Sequence, residues 1–215
     1  MKKETDYWVK VDKVPSSLKP SKILTDFVSK VEVNSIVDFG CGEGKLLEQF
    51  SGYNKHQLGI DINENSINEA IKKKIPLTAF ICSDLSSIHL EKKYDIGILQ
   101  ATLTVINGIK ERINVMLKIS QIITKYLYIN EFLQTPTHPL YFDRYASGLA
   151  ETGELGSFNV KENEKFVYQA HHFTEMELDV LLKLSGFKII KKKLGKVRTR
   201  SGRIIDGIEI IAARI

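Results

Sequence analysis

The chain has 215 residues, 43% of them hydrophobic and 27% charged, a balance that suits a folded domain and excludes a disordered one. No run approaches the roughly 18 apolar residues of a membrane span, no apolar h-region follows Met1–Asp6, and the two cysteines, Cys41 and Cys82, make neither a disulfide framework nor a four-ligand metal site, so the expected setting is the cytoplasm. The formal net charge is +5. That basicity is local: Lys188 to Arg203 holds eight basic residues and no acid, and without them 23 basic residues face 26 acidic ones.

Residues 1–30 carry Tyr7, Trp8, Val9, Ile23, Leu24, Phe27 and Val28 around Pro15 and Pro20. The pattern after Pro20 predicts a helix, so this stretch reads as an N-terminal cap. Strands are expected at 35–39, 57–60, 77–82, 94–99 and 125–132. Helices are expected from Lys45, over 65–74 (Ile67, Ala70 and Ile71 on one face) and over 109–123 (Ile109, Ile113, Met116, Leu117 and Ser120 on one face). Cys82, at a strand end, reads as core, and Cys41 as packed beneath its loop. Strand–helix alternation with near-continuous apolar strands implies parallel pairing and right-handed crossovers.

Regularity breaks at Leu133. Residues 133–170 contain Pro136, Pro139, Gly148, Gly153 and Gly156 among Tyr141, Phe142, Tyr145, Phe158 and Tyr168, which reads as a long functional loop rich in aromatics. Thr174 and Glu177 have capping-box spacing, and Phe173 with Leu178 suit a hydrophobic staple, so a helix runs from there to Ser185 and stops at Gly186. Strands at 187–194 and 208–213, with Gly195, Gly202 and Gly207 as turn residues between them, predict an antiparallel hairpin. Its lysines and arginines either contact an anion or blunt an exposed sheet edge. The fold expected is α/β, doubly wound, with a mostly parallel seven-stranded sheet, an antiparallel C-terminal strand pair and helices on both faces.

The most informative stretch is Val37-Asp38-Phe39-Gly40-Cys41-Gly42-Glu43-Gly44, where a first strand turns into a first helix. Glycines there let backbone approach a ligand at the helix start. Asp61 lies 21 residues beyond Gly40, at the end of the second strand, and suits hydrogen bonding to a ribose diol. Asp84 follows the third strand, where an acid can accept from an adenine amine. A dinucleotide fingerprint needs a third glycine at position 45, which is Lys45, and no tyrosine is followed four residues later by lysine, so a nicotinamide oxidoreductase is disfavoured.

With Asp38 ahead of Gly40, Gly42 and Gly44, the chain resembles the class I S-adenosylmethionine-dependent methyltransferases over residues 35–131, and its end at 187–213 resembles that family's antiparallel strand. The resemblance implies a methyltransferase domain over 1–215, with 1–30 as cap and 133–170 as a substrate-side insertion. It implies S-adenosylmethionine as cofactor, with Asp38, Gly40, Gly42 and Gly44 around its methionine part, Asp61 with Ile62 at the ribose, Asp84 and Leu85 at the adenine, and Gln100 beside the sulfonium. Gln100-Ala101-Thr102-Leu103-Thr104 departs from the Pro-Pro motif of nucleobase amino-methyltransferases. No Pro-Cys dipeptide exists for cytosine-C5 chemistry, and Asn130-Glu131 is too thin for a metal.

The acceptor pocket is expected from residues 133–172 and the cap. His171 and His172 are the candidate bases; His138, Tyr141 and Arg144 are the candidate substrate contacts, with Glu131 and Asp143 as further polar groups. Each histidine is either a base or a packed or solvated residue. Arg144 pairs either an anionic acceptor or Asp143, and Tyr7 and Trp8 either lid the cofactor or belong to the core. The leading expectation is O- or N-methylation of a small molecule. Alternatives are a nucleic-acid methyltransferase holding phosphates through Lys191, Lys192, Lys193, Arg198 and Arg200, and a non-catalytic scaffold subunit.

Overall fold

The computed structural model describes residues 6–11 and 21–215; Pro15 and Pro20 lie outside the described residues. The elements in order are α1 (Asp6–Lys10), α2 (Lys22–Val28), β1 (Ser35–Phe39), α3 (Lys45–Glu48), β2 (His56–Asp61), α4 (Glu64–Lys72), β3 (Thr78–Cys82), β4 (Tyr94–Gln100), α5 (Ile109–Ile122), β5 (Ile123–Phe132), α6 (Pro139–Thr152), β6 (Ser157–Glu162), β7 (Lys165–His171), α7 (Glu175–Leu184), β8 (Phe187–Arg198) and β9 (Ile204–Arg214). The seven-stranded sheet runs β3-β2-β1-β4-β5-β9-β8. Its first five strands are parallel, and β9 pairs antiparallel to both β5 and β8.

Period-2 alternation sorts each strand's side chains between two cores. Val37 and Phe39 of β1, Leu127 and Ile129 of β5, and Ile208, Ile210 and Ala212 of β9 pack with Val115, Met116 and Ile119 of α5 and Leu178, Leu181 and Leu182 of α7. Ile36, Ile96, Ile98, Tyr128 and Ile211 face the other way, onto Leu24 and Val28 of α2 and Leu46 and Leu47 of α3. Both faces are therefore covered, which is why these strands read as unbroken apolar runs.

Several local expectations are corrected. On α4, Ile67 and Ala70 are buried but Ile71 is 52% exposed. On α5, Ile109 and Leu117 are exposed, while Met116 and Ser120 are buried together with Arg112, Val115 and Ile119, and Ile113 packs at the core's edge. Cys82 is exposed, because β3 is an edge strand. The stretch 133–170 is not a loop: it forms α6 and the two-stranded antiparallel sheet β6–β7. Pro139 occupies the first turn of α6, where a missing N–H is harmless. Gly148 sits inside that helix because a Cβ there would lie 2.0 Å from the Ser157 carbonyl oxygen of β6. The β8–β9 hairpin is also longer than expected: Gly195 and Gly207 pair across the ladder, and only Gly202 lies in the turn.

The α7 start follows the sequence closely. Thr174 Oγ1 accepts from the Glu177 N–H (3.2 Å), and Glu177 Oε2 accepts from the Thr174 N–H (2.6 Å). Phe173 and Leu178, flanking the cap, are both fully buried in one core. Removing the cap in Thr174→Ala costs about 1 kcal/mol. Urea unfolding is expected to show a lower midpoint with an unchanged slope.

Candidate active site

The site is built at the carboxyl ends of the parallel strands, the position favoured by open α/β sheets. The loop after β1 carries Gly40, Gly42 and Gly44 at φ +84°, +52° and +72°. At Gly40 a Cβ would stand 2.5 Å from Thr102 Oγ1, and at Gly44 it would stand 2.9 Å from the Phe80 ring. Left-handed backbone in so tight a space admits only glycine. Cys41 is buried in this loop, and its sulfur would be 2.8 Å from a Cβ on Gly59 of β2.

Asp61 closes the loop against the end of β2. Its Oδ2 accepts from the Gly42 N–H (2.8 Å) and its Oδ1 from the Asn63 N–H (2.9 Å). Burial raises its pKa, and those two backbone donors work against that rise. A carboxylate offers about four acceptor positions, so Asp61 keeps capacity for a diol. Asp38 is deeper; burial first, and the Asp61 charge second, push it up to about 8. Asp84 Oδ1 accepts from the Ser86 N–H (2.8 Å), which orients the acid at the tip of β3.

Asn63 was missed in the sequence, although Asn-Glu before a helical run is a helix-start signature. It caps α4 by accepting from the Ser66 N–H (2.7 Å), and its Nδ2 donates to the Trp8 and Val11 carbonyls (2.8 Å each). This residue pins α1 beside the loop. Tyr7 stacks on Tyr168 of β7 (5.1 Å between centroids), Trp8 tilts against the same ring (4.9 Å), and Arg200 from the β8–β9 turn donates to Tyr7 Oη.

These elements enclose a cavity of about 1200 Å³. Single small-ligand pockets span roughly 300–1,000 Å³, so the space suits two molecules. One end is lined by Asp38, Gly40, Gly42, Asp61, Ile62, Asp84, Leu85 and Gln100; Gly44 stands behind the lining as the residue before α3. The other end is lined by Trp8, Phe132, Tyr141, Arg144, Phe158, Tyr168, His172 and the turn residues Thr199, Arg200 and Ser201. Those turn residues were not expected, because only a long-range pairing brings them here.

The two histidines part company. His172 lines the chamber, with its Nδ1 2.8 Å from Tyr145 Oη and its ring 5.0 Å from Tyr141 and Phe158. Burial, and next the nearby His171, lower its pKa to about 3, so the ring is neutral. His171 lies outside the lining. Its Nδ1 is 2.8 Å from Ser157 Oγ, and its Nε2 is 3.3 Å from Glu177 Oε1, off the line of a hydrogen bond. Ser157 donates to Glu154 (2.6 Å), and Glu154 pairs with the fully buried Arg112. His171 therefore belongs to a packed polar network, and of the two candidate bases it is His172 that faces the cavity.

Three further candidates also fall outside the cavity. Glu131 is fully buried, with Oε1 accepting from the Leu103 N–H (2.7 Å) beneath the turn after β4, and burial pushes it up to about 8. His138 precedes α6 with its ring on Tyr141 (5.3 Å), and Asp143 is exposed.

A SAM-dependent methyltransferase from Methanosarcina mazei superposes on this chain with a TM-score of 0.84 and 30% identity, covering 92% of this chain and 99% of its own. The chain belongs to the SAM-dependent methyltransferases. It is an enzyme, and its cofactor is S-adenosylmethionine. The methyltransferase-domain family model matches residues 36–123. Magnesium protoporphyrin IX methyltransferase from Synechocystis PCC 6803, solved with bound SAH (S-adenosylhomocysteine), shares the fold at 19% identity and a TM-score of 0.65 over 90% of this chain and 80% of its own. Malonyl-[acyl-carrier protein] O-methyltransferase from Bacillus anthracis is 33% identical over 79 residues, 35% of this chain and 29% of that relative. The Bacillus cereus protein of the same name is 29% identical over 92 residues, 41% and 34%. The chain spans about a third of the length of these curated relatives.

The residues of this methyltransferase fit the cofactor: a glycine cradle that a Cβ would fill, with buried acids Asp38 and Asp61 on the cavity wall. Two of the buried acids, Asp38 on the wall and Glu131 beneath it, have a measurable signature. Asp38 and Glu131 hold their protons in the fold up to about pH 8, whereas unfolding returns them toward 3.8 and 4.5. The native state thus binds more protons than the unfolded one across that window, and stability falls as pH rises through it. Thermal melts of the ligand-free enzyme are expected to show this decline from about pH 4 to about pH 8, and Asp38→Asn to flatten it.

Proposed function

We propose that this methyltransferase modifies a small molecule at an oxygen or nitrogen atom, within one domain whose α1 segment and residues 133–170 cap the acceptor. The observation that carries the reading is the continuity of the cavity. The glycine-loop end passes directly into an aromatic chamber that α1, α6, β6–β7 and the β8–β9 turn close over, and apolar walls of this kind bury a small ligand and exclude water. The curated relatives are named as O-methyltransferases, which adds support for oxygen.

Bound, the cofactor supplies a methyl group on a positively charged sulfur. The chain's own groups hold and align the partners. Gly40 and Gly42 offer bare backbone to the methionine part, Asp61 accepts from the ribose hydroxyls, Asp84 and Leu85 flank the adenine, and Gln100, at the tip of β4, lies beside the sulfonium. Alignment supplies much of the rate in a displacement of this kind. In the tautomer with its proton on Nδ1, His172 donates to Tyr145 Oη and leaves Nε2 to accept a hydrogen bond from the acceptor's O–H or N–H, orienting it toward the methyl group. Tyr145 is itself fixed, since its Oη accepts from the Thr135 N–H (3.2 Å).

A nucleic-acid acceptor has weaker support. Lys192 pairs with Glu175, Lys193 lies 3.7 Å from Glu209 and Lys196 2.6 Å from Asp206, while Arg200 turns inward toward Tyr7. β8 is the outer strand of the sheet, so its lysines also serve to blunt an edge.

Two outcomes test the reading. Asp61→Ala is expected to weaken SAH binding in calorimetry by about a hundredfold or more, since a diol's charge-assisted partner is lost. An unchanged affinity removes the ribose assignment. His172→Asn is expected to lower turnover by about a hundredfold with little change in SAH affinity, and His171→Asn to lower thermal stability instead. Because His172 stays neutral well below pH 7, wild-type turnover is expected to hold from about pH 8 down to about pH 5.

A further inference from the structure

Among the described residues four cations line the cavity, and three have carboxylate partners. Lys45 Nζ lies 3.3 Å from Glu43, Lys161 Nζ 3.8 Å from Glu151, and Arg200 Nη2 3.4 Å from Glu162. Arg144 has no carboxylate partner among the described residues, and its sequence neighbour Asp143 is exposed and unpaired with it. Its guanidinium carbon instead stands 5.4 Å from the ring centroids of both Tyr141 and Phe158. Those two rings also flank His172, each 5.0 Å from its centroid. The cation and the imidazole thus share two aromatic walls of one chamber.

Aromatic faces attract a guanidinium but satisfy none of its N–H donors in the plane. That planar fork matches an oxyanion, and the pairing gains strength where water is excluded. One positive charge without a carboxylate partner balances a monoanion better than a dianion, which favours a carboxylate over a phosphate. A carboxylate is already ionised near neutral pH and needs no base. The neutral imidazole beside it therefore suits a second group that still carries a proton.

We infer that the acceptor bears a carboxylate held by Arg144, while a separate hydroxyl or amine on the same molecule faces His172. Arg144 is then the specificity determinant for an anionic acceptor. This inference rests on the methyl-transfer reading above.

The test uses full-length enzyme loaded with SAH and a library of hydroxyaryl carboxylates, each matched with its carboxamide and its aryl phosphate. Binding is read by calorimetry and by fluorescence of Trp8, the single tryptophan, which lines the chamber. The carboxylates are expected to bind the wild type about tenfold or more tightly than their amides. Arg144→Gln erases that preference, Arg144→Lys keeps part of it, and SAH affinity is unchanged in both. The inference is overturned if no carboxylate in the library outbinds its amide, if Arg144→Gln retains the preference, or if the phosphates bind more tightly than the carboxylates. Failure of SAH to bind the wild type overturns the methyl-transfer reading as well. SAH binding without carboxylate selectivity overturns this inference alone.

Discussion

Much of the molecule is organised around a carboxylate with two backbone donors. Asp61 receives the Gly42 N–H on one oxygen and the Asn63 N–H on the other. The first contact holds the glycine loop in its left-handed course, and the second sets the start of α4. Asn63 then carries the connection outward to the carbonyls of Trp8 and Val11. The glycine loop and the segment beside the aromatic chamber are therefore joined through two residues. A ligand that draws on Asp61 touches the element that also fixes α1.

The glycine-loop end of the cavity was legible because its determinants are local. Asp38, Gly40, Gly42, Asp61 and Asp84 each sit at a strand end, and parallel strands in chain order bring those ends to one edge without further information. The aromatic end depends on contacts that composition conceals. Pro139 and Gly148 resemble loop punctuation, yet one starts a helix and the other lets that helix lie on β6. Lys191 to Arg198 lacks apolar alternation, yet it is strand, because an edge ladder needs backbone partners on only one side. Thr199 to Ser201 reach the chamber through a pairing with β9 that no short-range pattern announces.

The histidine pair illustrates the same limit at a single peptide bond. His171 ends β7 and His172 follows it, so the two side chains leave the backbone in opposite directions. One enters a network of Ser157, Glu154, Glu177 and Arg112; the other enters the aromatic wall. Residue type is identical and the chemistry differs. Burial makes His172 a neutral ring in apolar surroundings, while the neighbour's carboxylates provide a polar setting.

The contact between Tyr7 and Arg200 spans 193 positions in the chain. On the ribosome, the aromatic residue emerges long before the guanidinium that will hold it. The glycine loop and its acids, by contrast, lie within residues 38–84 and can assemble while synthesis continues. Ordering by sequence separation thus makes the glycine-loop crevice an early structure of the nascent protein and the enclosed chamber a late one. The aromatic chamber of a newly made polypeptide closes only when the final hairpin has folded back onto its beginning.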